Sequence, residues 1–160
     1  MMSHTRTPLF NHHKDSGAKI VDFAGWQMPI QYSSILSEHK AVRENVGIFD
    51  VSHMGQIFVK GSETVEFLSY VTTWDMRRQK DGDCRYCHIL DDSGFIIDDT
   101  IVYTISKDNY MLIPNASRVE EIYVWLLKNS KDFEVSIEDL SGDYFCLALQ
   151  GPESPRLLGQ

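Results

Sequence analysis

The chain has 160 residues, and 15 Lys plus Arg against 23 Asp plus Glu give a formal charge of −8. A hydrophobic fraction of 42% with 24% charged residues lies in the globular range and excludes a disordered or low-complexity chain. A pI near 5.1 argues against a general nucleic-acid or anionic-membrane binder, which needs a basic face. No stretch approaches the ~18 apolar residues of a membrane span. Three cysteines, Cys84, Cys87 and Cys146, make no even disulfide framework, so a reducing, cytoplasmic setting is expected. The opening MMSHTRTPLFNHHKDSG resembles neither a signal nor a transit peptide.

The spacing predicts a first helix after Ser33 and Ser34, with Ile35, His39, Val42 and Val46 on its inner face and Gly47 just past its end. His39 there reads as a core residue. IFDV (48–51) and QIFVK (56–60) read as short strands. Ser62 is expected to cap a helix that turns Val65, Leu68 and Val71 inward. CRYCHIL (84–90) and FIIDDTIVYTI (95–105) read as strands joined by Asp91-Asp92-Ser93-Gly94, whose side chains and glycine suit a turn. YMLI (110–113) adds a third strand, which completes an antiparallel meander. Ser117-Arg118-Val119-Glu120 has the pattern of a capping box before a helix burying Val119, Ile122 and Leu126. FEVSIEDL (133–140) and YFCLALQ (144–150) read as strands. Pro152 is expected in the first turn of a further helix that has hardly begun when the sequence stops, as if cut off. The order implies an α+β fold with a largely antiparallel sheet and packed helices.

Cys84-Arg85-Tyr86-Cys87 has redox-pair spacing but lies in a strand, where alternation sends the two cysteines to opposite faces; both read as small hydrophobes. No histidine pattern seats a metal, and none is expected. No phosphate-cradling or nucleophile-elbow motif occurs. Asp98-Asp99 is different: two carboxylates interrupt an apolar strand, and alternation turns them to opposite faces. A carboxylate in apolar surroundings is costly without a partner or a task, so the pair is either functional, or edge-exposed, bulged or matched to Arg. DFAGWQMPIQY (22–32) and FDVSHMGQ (49–56) show no clean period and either line a pocket or cover a core.

Together TPLFNHHKDSGAKIVDFAGWQMPIQY, VRENVGIFDVSHMGQIFVKG, GFIIDDTIVY and ALQGPES resemble the aminomethyltransferases, or T-proteins, of the glycine cleavage system, from about Thr7 to the end. The resemblance implies an α+β fold of three domains around a folate channel. Residues 1–50 and 140–160 would belong to a first folate-binding domain and 51–139 to a second α+β domain around the meander, with the family's C-terminal half absent. It implies transfer of a methylene unit from the aminomethyl-lipoyl arm of the H-protein to tetrahydrofolate, with release of ammonia. Asp99 would be the key acid, and Met54, Tyr86, Ile101 and Asn115 would line the folate site. Thr100 stands where the family often has Leu, and Pro114 where it has a small aliphatic residue. Related readings are a folate-dependent demethylase, the folate module of a sarcosine- or dimethylglycine-oxidising enzyme, and a non-enzymatic folate-binding protein of iron–sulfur assembly.

Overall fold

The computed structural model describes residues 5–159; the reading of the N-terminus as no leader falls partly on residues 1–4, outside the described residues. The chain forms two compact units, one from the residues up to His53 and from Phe145 onward, the other spanning Met54–Tyr144. Among the described residues no helix is long and apolar enough to cross a membrane.

The first unit begins with β1 (Thr5–Arg6), α1 (Phe10–Asp15), β2 (Lys19–Phe23), β3 (Trp26–Gln31), α2 (Ile35–Glu44) and β4 (Gly47–Asp50). β2 and β3 form a hairpin across Ala24-Gly25, both at positive φ (51° and 84°), and β1 joins β3 in parallel. Two consecutive left-handed residues match the right-handed twist of paired strands. This hairpin gives DFAGWQMPIQY the order its sequence did not announce, because Ala occupies a turn position where Asn or Gly is the usual signal. α2 starts where predicted, with Ser34 as its N-cap, and Glu38 accepts backbone N–H groups of Tyr32, Ser33 and Ser34. Its inner face is not as predicted. Ile35 is 56% exposed, His39 is exposed rather than a core residue, and no residue of the helix is buried. Gly47 is no left-handed cap either. It opens β4, and it is glycine because a Cβ would lie 2.5 Å from Val42 Cγ2. His13 bridges Tyr32 and Asp50, its Nδ1 2.7 Å from the phenol and its Nε2 2.8 Å from the carboxylate, and ties α1 to β3 and β4. The His53 ring meets Phe23 and Trp26 edge-on.

The second unit carries β5 (Ile57–Lys60), α3 (Thr64–Val71), β6 (Cys84–Leu90), β7 (Ile96–Ser106), β8 (Asn109–Pro114), α4 (Val119–Asn129) and β9 (Ser136–Asp139). The strands make one sheet in the order β6-β7-β8-β5-β9, antiparallel throughout. Alternation sends Ile57, Val59, Cys87, Ile89, Val102, Tyr110 and Leu112 to one face, where they are buried with Phe67, Leu68 and Val71 of α3 and Ile122 and Leu126 of α4. Each such side chain contributes about 1.5–3 kcal/mol of burial, so this core holds the sheet rigid behind its opposite face. Cys84 is exposed and Cys87 buried, as the strand pattern required.

The predicted caps differ. Ser62 caps nothing; α3 begins at Thr64, whose hydroxyl donates to the Gly61 carbonyl at 2.8 Å. Ser117 lies in a 3-10 turn over 116–118, so the capping box does not form and α4 starts without a side-chain cap. The chain then returns to the first unit with β10 (Leu147–Gln150), antiparallel to β4, and α5 (Ser154–Leu158). Pro155, not Pro152, occupies the first turn of α5. Ile48, Phe49, Phe145 and Leu147 around this two-stranded ladder are exposed.

Candidate functional site

The site is built on the sheet face turned away from α3 and α4. β6 pairs with β7 in a register that sets Tyr86 opposite Ile101 and His88 opposite Asp99. Neighbouring strands place such partners' Cβ atoms roughly 4.5–5.5 Å apart on one face, and diagonal neighbours remain within reach of long side chains. Tyr86 and Asp99 are diagonal neighbours. The hydrogen-bonding interaction with the Asp99 carboxylate, more than desolvation, pushes the Tyr86 phenol above its ordinary pKa. The Tyr86 ring also meets His88 edge-on, with centroids 5.4 Å apart. Tyr86 is 59% exposed, so the face is open to a ligand.

The register depends on an irregularity. Ile89 pairs with Asp98 but Leu90 pairs with Ile96, so Ile97 is an extra residue on β7. A bulge of this kind re-aims the side chains beyond it. Asp98 and Asp99 then point to opposite faces. Asp98 is buried at 7% exposure, while Asp99 is half-buried on the open face. Among the described residues no Lys or Arg pairs with either carboxylate. Matching to Arg, one alternative for this acidic pair, does not occur among the described residues.

Asn115, just past β8, joins the two. Its Nδ2 lies 2.7 Å from Asp98 Oδ1 and 3.3 Å from both the backbone oxygen and Oδ1 of Asp99. Met54 arrives through its neighbour Gly55, whose N–H donates to the Pro114 carbonyl at 3.0 Å. A Cβ on Gly55 would come within 2.7 Å of Pro114 Cγ and of Val119 Cγ2, so only glycine allows this approach. Thus Tyr86, Asp99, Ile101 and Asn115 converge by register and hydrogen bonding, and Met54 is tethered beside the Pro114-Asn115 corner. His88, set aside with the other histidines as no metal ligand, lies beside Tyr86, and its period-2 spacing from Tyr86 is the signal for it in the sequence. Sequence reasoning gave Asp98 no role. The arrangement offers one unmatched carboxylate, a phenol and an amide among apolar surfaces, which suits a flat ligand bearing N–H donors or developing positive charge. Among the described residues no group of three or more His, Cys, Asp or Glu could hold a metal.

The family model for the GCVT N-terminal domain matches residues 9–160. The chain belongs to the GCVT N-terminal domain family. Within that family, it is 42% identical over 153 residues to an aminomethyltransferase of Desulfitobacterium hafniense (strain DSM 10664 / DCB-2) and 47% identical over 154 residues to one of Chlorobium limicola. Each match covers 96% of this chain and 42% of the relative. The crystal structure of the glycine cleavage system aminomethyltransferase T from Bartonella henselae superposes with a TM-score of 0.93 at 37% identity, over 98% of this chain and 43% of that one. The chain therefore spans less than half the length of these relatives, and it shares its α+β, largely antiparallel fold with the Bartonella henselae structure over that span.

Proposed function

We propose that the full-length protein is a folate-dependent aminomethyltransferase of the glycine cleavage system, working in the cytoplasm. It takes the one-carbon unit of the aminomethyl group from the lipoyl arm of the H-protein and gives the methylene to tetrahydrofolate; the carbon–nitrogen and carbon–sulfur bonds break, and the two hydrogens displaced from the folate nitrogens end on the released ammonia and on the lipoyl thiol. The observation that carries this reading is the unmatched Asp99 carboxylate on the open sheet face, flanked by Tyr86 and Asn115, in a chain similar to aminomethyltransferases along 96% of its length.

In this reading Asp99 accepts a hydrogen bond from a folate ring nitrogen, orients it toward the incoming carbon, and takes its proton as the new bond forms. Its negative charge also favours the positive charge that develops on the one-carbon unit as ammonia departs. Tyr86, Ile101 and Met54 pack against the flat ring, and Asn115 fixes its edge. Residues 51–139 would supply this surface as one domain, and residues 1–50 with 140–160 part of another. A steady-state assay of 5,10-methylenetetrahydrofolate formation, with the full-length protein, aminomethyl-loaded H-protein and tetrahydrofolate, tests the proposal. Product formation that depends on all three supports it; transfer to water or to another acceptor, with tetrahydrofolate without effect, refutes it.

A further inference from the structure

The inward carboxylate of the acidic pair has no part in the chemistry above, yet its surroundings are specific. Asp98 is 7% exposed, and a single residue occupies both of its oxygens. The Asn115 amide donates to Oδ1 at 2.7 Å and the Asn115 backbone N–H donates to Oδ2 at 3.0 Å. The backbone contact arises at the point where the β-ladder stops: β8 ends at Pro114, opposite Thr100, and the next N–H turns to a side chain instead of a strand. The amide contact fixes which way round Asn115 sits. The reversed amide would set its oxygen against Asp98 Oδ1 at 2.7 Å, acceptor against acceptor, so Nδ2 must face inward. Its second hydrogen is then shared between the backbone oxygen and Oδ1 of Asp99, each at 3.3 Å. Both amide hydrogens are consumed inside the protein.

We infer that Asp98 is a positioning residue for the folate site: from behind the sheet it clamps Asn115 in one orientation and, through the Asn115 amide, braces Asp99. It touches neither substrate and acts only through Asn115. The inference rests on the folate reading of this face. An amide carboxamide at position 98 has nearly the carboxylate's shape but presents one acceptor where two are needed. Asp98→Asn therefore releases the Asn115 amide, or forces it to turn its oxygen inward.

The test is the dissociation constant of tetrahydrofolate for the full-length protein, measured calorimetrically for wild type, Asp98→Asn, Asn115→Ala and the double variant, with thermal melts of each. Loss of a hydrogen bond to a charged group predicts that each single variant binds about tenfold or more weakly. Because Asp98 works through Asn115, the double variant should bind within about twofold of Asn115→Ala alone, since residues acting through a shared partner are not additive. Asp98→Ser keeps an acceptor for the backbone N–H but loses the one for the amide, and replaces Asp98→Asn if that variant melts below the assay temperature. Multiplying losses in the double variant, or an Asp98→Asn protein with wild-type affinity beside a weakened Asn115→Ala, would overturn the inference and leave the folate reading standing. An Asn115→Ala protein that binds tetrahydrofolate normally would likewise overturn the inference alone, whereas a wild-type protein that does not bind it would overturn both.

Discussion

Asp99→Asn separates chemistry from architecture at this site. The carboxylate is half-buried on the open face, where it takes a shared contact from Asn115 Nδ2 at 3.3 Å and has the Tyr86 phenol as a diagonal neighbour. An Asn side chain keeps one oxygen acceptor in nearly the same place, so it can still receive either donor. Nothing in the core behind the sheet changes, because Asp99 contributes nothing to that face. The melting temperature should therefore move by no more than ~2 °C, the scale of a surface substitution of up to 0.5 kcal/mol in a chain of this size. Turnover should fall about 10²–10⁴-fold, the usual range for losing a positioned acid–base group. The folate KM should change far less than kcat, because ring packing on Tyr86, Ile101 and Met54 is untouched. The assay is methylenetetrahydrofolate formation by the full-length protein with loaded H-protein, run beside thermal melts. A variant with near-wild-type turnover would remove Asp99 from the chemistry. A large fall in melting temperature would show that the residue's role is structural.

Three further outcomes follow from the packing. Gly55→Ala places a Cβ 2.7 Å from Pro114 Cγ and Val119 Cγ2, so it should destabilise by about 1–3 kcal/mol and weaken folate binding by displacing Met54 and Asn115; unchanged melting would contradict the tight approach. Burial alone would raise the Asp50 pKa, but hydrogen bonds from His13 and Ser52 outweigh it and hold the carboxyl below its ordinary value. The folded value thus lies below the unfolded ~3.9, so this stabilisation is present above pH ~4 and is lost as pH falls through the folded value; Asp50→Asn should flatten the acid limb of a melting-temperature profile, and an unchanged limb would refute the assignment. With Phe23, Leu36, Ile48 and Phe145 all exposed, the 160-residue chain alone should bind a dye such as ANS and self-associate in sedimentation; a monomer without dye binding would contradict the exposed surface.

Much of the second unit was legible because its strands alternate cleanly and Asp91–Gly94 is unambiguous turn chemistry. The facing of Asp98 and Asp99 followed from period 2 alone. Their partners did not. The β6–β7 register shifts at Ile97, so counting back from the turn misaligns His88 and Asp99, and only the folded ladder sets them opposite each other. Asn115 could be carried over by resemblance, but its grip on Asp98 depends on where β8 stops. The first unit was less legible. Its β2–β3 hairpin turns on Ala24 at positive φ, a conformation no propensity assigns to Ala. The period of α2 implies a buried face, but a helical period shows only that residues share a side, and here Ile35 and His39 of that face lie open. The two capping errors have one cause. Ser62 and Ser117 are adequate caps in sequence, but the chain enters each helix through a different turn, at Gly61 and over 116–118.

The central claim is that tetrahydrofolate lies on the open face of the β6–β7–β8 sheet with Asp99 against its reacting nitrogens. A crystal structure of the full-length protein soaked with tetrahydrofolate tests it most directly. The account predicts the folate ring packed on Tyr86 and Ile101, with a ring nitrogen about 2.7–3.2 Å from an Asp99 carboxylate oxygen. A folate ring bound elsewhere, with Asp99 facing solvent in the complex, would contradict it.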